Sequence, residues 1–156
     1  MNKKIFGWSV AAAMTGMSIA AAAAPGAASA PAGKASPYVM VDHSNATLLD
    51  KGAVQAVWAE RMPAATTARL VKLYPPSQWG FLSQVEGGFT AGKVCVVTAS
   101  VMLAPRSGKT VAFAPSKAAT AFDAQPGATQ EQCQALAKAK LGEAVTAVMS
   151  SLVATK

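Results

Sequence analysis

The clearest periodicity in the chain runs from Val94 to Leu103, VCVVTASVML. Cys95, Val97, Ala99, Val101 and Leu103 fall on one face and are all apolar, while Val94, Val96, Thr98, Ser100 and Met102 form a mixed opposite face. Strict alternation of this kind predicts a half-buried strand with Cys95 pointing to the core. Gln78 to Phe89 alternates as well: Trp79, Phe81, Val85 and Phe89 share a side, with Ser83 among them, and Gln84 and Glu86 lie opposite. Thr90-Ala91-Gly92-Lys93 joins the two segments by a short turn, so they should pair antiparallel. Pro105-Arg106-Ser107-Gly108 makes the next turn. Lys109 to Ala114 follows as a shorter strand with Val111 and Phe113 on one face, and Ala118 to Asp123 as a fourth strand.

Beyond the turn residues Pro126-Gly127 the period changes to 3.6. Cys133, Ala137, Leu141, Ala144, Val145, Val148 and Leu152 form one helical stripe. Thr129 and Gln132 have capping-box spacing, which places Cys133 in the first turn of the helix, on its buried face. Upstream, Thr47 to Arg61 can be helical through Leu49, Ala53, Val57 and Trp58, although Gly52 weakens it. Tyr38 to Val41 is too short to assign. Arg69 to Tyr74, bounded by Pro63, Pro75 and Pro76, fits helix or strand, and Glu86-Gly87-Gly88 reads as a bulge or turn. The expected fold is α+β: an antiparallel β-meander of three to four strands, a C-terminal helix packed on one face, and a helical or mixed N-terminal part.

Composition changes the picture at the N-terminus. Of the 156 residues, 52% are hydrophobic but only 6% aromatic and 13% charged, and much of the apolar fraction is alanine. This excludes collagen, coiled coil and a disordered acidic tail. With a single long apolar stretch, it excludes a polytopic membrane protein too. That stretch is Ile5 to Ala24, preceded by Asn2-Lys3-Lys4 and followed by Pro25-Gly26 and the small residues Ala27 to Ala30. The layout is that of a secretory signal peptide over residues 1–30, cut between 22 and 30. An uncleaved membrane anchor is the runner-up. No cysteine lies near the end of the run, so the chain is not expected to be a lipoprotein. Residues 31–37, PAGKASP, read as a disordered leader, and 38–156 as one domain.

The two cysteines, Cys95 and Cys133, both lie beyond the leader. In an exported chain an even cysteine count is read as disulfide-bonded, and two cysteines allow one connectivity. Closing a loop of about 39 residues contributes about 4 kcal/mol in the chain-entropy view. The bond would pin the C-terminal helix to the central strand.

Candidate chemistry is sparse. Asp42-His43-Ser44 carries hydrolase residue types around the single histidine, but neighbours in an extended chain point to alternate sides, and a triad must converge. There is no phosphate-binding glycine motif and no metal-ligand spacing, so no cofactor and no metal site is expected. Asp50, Glu60, Glu86 and Asp123 could supply a carboxylate pair only if the fold joined two of them. The chain carries 14 Lys+Arg against 7 Asp+Glu. Arg106, Lys109 and Lys117 fall on or near two consecutive turns, and Lys93 lies at the turn on the opposite end of the strand; as a basic patch they suit an acidic partner, either an envelope or secreted protein or an acidic envelope polymer. Nucleic acid is not expected, because aromatics do not interleave with the cations. Membrane contact is expected only if the leader stays uncleaved.

Ala91-Gly92-Lys93-Val94-Cys95, then Leu103-Ala104-Pro105, then Cys133-Gln134-Ala135 running to Lys140-Leu141, resembles the C-terminal domain of TolA, an envelope protein. That domain also joins a strand cysteine to a cysteine opening a helix, and it binds other proteins. The segment between the cysteines is longer here, and the long Ala/Lys-rich stalk has no counterpart. The resemblance covers about fifty residues and implies an envelope protein-interaction domain.

The expected function is an exported, non-enzymatic binding or structural module of the bacterial envelope, in the periplasm or outside the cell. An inhibitor or immunity protein is an alternative, and a small secreted hydrolase ranks lower. If the leader is processed, protein recovered from the periplasm or medium should begin between Ala23 and Pro31, as read by N-terminal sequencing. An intact Met1 on membrane-bound protein would establish the anchor instead.

Overall fold

The computed structural model of the chain describes residues 36–153. The expected signal peptide at 1–30, its cleavage site and residues 31–35 of the expected disordered leader lie outside the described residues. The described part runs β1 (Val39–Asp42), α1 (Lys51–Arg61), α2 (Ala64–Leu73), β2 (Trp79–Phe89), β3 (Val94–Ser107), β4 (Thr110–Val111), β5 (Lys117–Pro126) and α3 (Gln130–Leu152). The sheet is ordered β1-β2-β3-β5, with β4 hydrogen-bonded to the last residues of β3. One face carries α3 and α1, which gives the expected α+β architecture with a C-terminal helix against the sheet.

Strand β3 pairs along its length with β2 on one side and β5 on the other, both antiparallel. Its alternation is expressed in full: Cys95, Val97, Ala99, Val101 and Leu103 are completely buried under α3. Helix α3 presents the whole anticipated stripe from Cys133 to Leu152 to them. Thr129 caps it: its hydroxyl accepts from Gln132 N at 3.3 Å, and Gln132 Oε1 accepts from Thr129 N at 2.8 Å. Cys95 and Cys133 are joined by a disulfide with a Cα–Cα distance of 5.7 Å. A second tie joins α3 to β5, where Lys140 Nζ lies 3.1 Å from Asp123 and 2.9 Å from Glu143.

The N-terminal part resolves the open assignments. Tyr38 to Val41 leads into β1, which pairs parallel to β2 from Val39↔Gly80 to Asp42↔Ser83, so this edge is not part of the antiparallel meander. Parallel neighbours need a long crossover, and α1 with α2 supplies it. Helix α1 begins later than Thr47 because the Asn45 side chain accepts from Thr47 N and Oγ1, holding a turn. Asp50 then caps the helix through Ala53 N at 2.7 Å. Gly52, near that cap, does not interrupt it. Arg69 to Tyr74 is helical up to Leu73, the end of α2, and Pro75 and Pro76 follow.

Two strand expectations are corrected. Lys109 to Ala114 holds only the two-residue β4, and Val111 and Phe113 do not share a face. Val111 folds inward over Gly80, whereas Phe113 is 75% exposed. After Ala112 N donates to Pro105 O, Ala114 N donates to Ala112 O at 2.8 Å and closes a tight turn on Phe113, and the ladder resumes where Ser116 N donates to Leu103 O. Gly87 and Gly88 are not a turn or bulge: they stay in register opposite Val97 and Val96, with φ of 135° and 143°. A Cβ on Gly87 would collide with the Val96 carbonyl. Only glycine lets β3 approach β2 there.

Replacing both Cys95 and Cys133 by alanine should destabilise the domain by roughly 2–5 kcal/mol while leaving an α+β circular dichroism spectrum. Urea unfolding measures the loss. Two free thiols in denatured, unreduced protein taken from its native compartment would show the bond to be absent there.

Candidate functional site: a groove beside the edge strand

Two adjoining hollows share Met40, Gln55 and Trp58 and together form a groove between β1 and the helices α1 and α2. The larger, about 810 Å³, is walled by Tyr38 and Met62 and by the small side chains Ala59, Ala64 and Ala68. The smaller, about 350 Å³, is more polar and is lined by Asp42, Ser44, Lys51 and Ser83. An apolar cleft of this size with a few converging polar groups at one end has the usual make-up of a binding site.

The floor is aromatic. Trp58 and Tyr38 each pack on Phe81, with ring centroids 5.2 Å apart in both pairs. The Tyr38 hydroxyl donates to Tyr74 O at 2.7 Å, which ties the strand wall to the end of α2. Burial of this phenol pushes its pKa up to about 12. The polar end centres on Ser83, a buried polar residue on the otherwise apolar face of β2. Its hydroxyl donates to Asp42 Oδ1 at 2.9 Å, and the Ser44 hydroxyl donates to the same oxygen at 2.7 Å. Ser44 Oγ in turn accepts from Val85 N at 3.1 Å, and Trp58 Nε1 points at Ser83 Oγ from 3.5 Å. Two hydroxyl donors thus orient an exposed carboxylate at the mouth of the groove.

This network was not recognised in the sequence. Its signal was Ser83 itself, one polar side chain in an inward series of Trp79, Phe81 and Val85. Asp42 and Ser44 do meet, but His43 between them is exposed, and its backbone N–H donates to Ser83 O at 2.9 Å. The other acids are spread out: Asp50 caps α1, Glu60 lies beside Arg61, Glu86 is exposed on β2, and Asp123 meets Lys140. Among the described residues no three His, Cys, Asp or Glu side chains gather as a metal site.

The four cations lie at the two ends of β3, as the positions of the turns imply. Lys93 sits in the β2–β3 turn with φ of 57°. Arg106, Lys109 and Lys117 lie at the other end of β3, roughly 40 Å away along an extended strand.

No known family's sequence profile matches the chain, and no curated protein matches it. Among solved structures, the chain is similar to the PelC dodecamer from Paraburkholderia phytofirmans, at 12% identity over 72% of this chain and 87% of that one, with a TM-score of 0.42. The two share too little geometry for the likeness to carry a function across.

The Tyr38 phenol makes stability depend on alkali. Its pKa is raised in the folded state, so its contribution is complete below the ordinary value near 10 and is lost as pH rises through about 10 to 12. Tyr38→Phe should remove that part of the slope and cost about 1 kcal/mol at neutral pH through the lost hydrogen bond. Urea midpoints measured for both proteins across this range check it.

Proposed function

We propose that the protein is an exported, non-enzymatic binding module of the bacterial envelope, and that it takes an extended apolar segment of a partner protein into the groove beside β1. The observation that carries this reading is the position of the groove. It runs along a short edge strand paired, among the described residues, only to β2. The outer edge of such a strand offers N–H and C=O groups to an incoming chain, and pockets beside it select alternate side chains. The alanines of α1 and α2 leave room for those side chains. The Asp42 carboxylate suits a cationic group at one end of the segment.

Export is supported by the N-terminal pattern of a basic, an apolar and a small-residue region, and by a core disulfide of the kind that persists in oxidising compartments. Binding by strand addition needs no covalent step, in keeping with a non-enzymatic role.

Ala68 is exposed on α2 and lines the groove. Ala68→Trp should fill the space with little change in stability. Proteins captured from envelope extract by the unsubstituted chain should be lost, with binding at least tenfold weaker, equivalent to about 1.4 kcal/mol. Equal capture by both proteins would remove the groove from the reading.

A further inference from the structure

The segment joining β3 to β5 has a composition that neither the core nor the groove explains. Residues 107–118 are exposed apart from Val111, which packs over Gly80. At the middle of the segment is Phe113, 75% exposed, between Ala112 and Ala114-Pro115. Arg106 and Lys109 precede it and Lys117 follows it. From Gly87 to Phe122 the chain contains these three cations and Lys93 but no carboxylate. Among the described residues, Arg106, Lys109 and Lys117 have no acidic partner, in contrast to Lys140, which is held by two.

The topology places more of the same character at this end. Helix α2 finishes here with exposed Lys72 and Leu73, the latter 60% exposed, just before β2 begins opposite Pro105. Arg106 N donates to Gln78 O at 2.8 Å, so the base of the hairpin is fastened to the start of β2. The described chain also begins at this end, because β1 runs parallel to β2.

We infer that this end of the sheet is a docking surface for an anionic lipid bilayer, with Phe113 entering the interface and Arg106, Lys109 and Lys117 meeting lipid phosphates. Charge complementarity argues for an anionic surface. The shape argues for lipid over an acidic protein. A protein partner needs an extended, well-packed complementary face. A single projecting aromatic flanked by small residues and cations offers none, but it suits a fluid interface into which one ring can sink. Such a contact is reversible and salt-sensitive, and it does not require an uncleaved leader. It is independent of the groove.

The test is co-sedimentation of the purified protein with vesicles of phosphatidylglycerol and phosphatidylethanolamine, against vesicles of phosphatidylcholine alone. Binding should require the anionic lipid and weaken with salt. Phe113→Ser should weaken it about tenfold, and Phe113→Trp should restore it with a blue shift of indole fluorescence on binding. Each charge removed should weaken it about fivefold, so Lys109→Ala with Lys117→Ala should lose more than tenfold. The three substituted side chains, Lys109, Phe113 and Lys117, are exposed, so thermal unfolding should be unchanged, which separates loss of docking from loss of fold. Equal vesicle binding by the unsubstituted protein, Phe113→Ser and the double lysine variant would overturn the inference. So would binding to an acidic protein that depends on these residues while no variant changes vesicle binding.

Discussion

Cys95, Val97, Ala99, Val101 and Leu103 line one side of β3 with no exposed surface, and the helix that covers them is fastened there by a covalent bond. Burying five consecutive inward positions sets the register of β3 against both neighbours, because a slip of one residue would turn the apolar set to solvent. Strands β2 and β5 are therefore placed by β3, and β1 is placed by β2. Several facing positions are small: Ala99 on β3, and Ala137 and Ala144 on α3. Small residues leave room for the helix to sit near the sheet, and at the disulfide the two Cα atoms are 5.7 Å apart. The disulfide between facing buried positions belongs to that close packing.

Most of this half of the molecule was legible in the sequence because two unlike periodicities, 2 and 3.6, pointed their cysteines to the same core. The capping box at Thr129 and Gln132 added an independent mark for the start of α3. The N-terminal half was less legible for a physical reason. Four residues of β1 carry too little pattern to register, and whether a strand pairs parallel depends on a crossover that local sequence does not encode. Gly87-Gly88 misled because glycine usually signals a turn, whereas here it permits close contact between two paired strands. Val111 and Phe113, two apart, pointed to a shared face until the hydrogen bond from Ala114 N to Ala112 O bent the chain at Phe113.

The same contrast applies to function. Residue types common in chemistry drew attention to Asp42, His43 and Ser44, yet the arrangement that formed joins Asp42 and Ser44 to Ser83, 39 positions or more further on. The groove above it is walled by Tyr38, Met40, Trp58, Met62 and three alanines, which carry no motif. Its existence depends on what α1 and α2 leave unfilled. The cations, by contrast, were already separated in the sequence by the turns at either end of β3. Its two ends separate Lys93 from the other three, and the bend after β4 brings an aromatic out among them.

The closed loop of the disulfide takes in β3, β4, β5 and the first turn of α3, and leaves β1, α1, α2 and β2 outside it. The two parts of the domain are thus unequal in how they can come apart. The stapled part remains tethered in any partial opening, whereas β1 is held by only four paired residues at the edge of the sheet. Amide exchange should therefore fall into two tiers, with the edge strand opening sub-globally and the central strand only with the whole domain. A fold so divided keeps one fixed template against which its loose edge can repeatedly re-form.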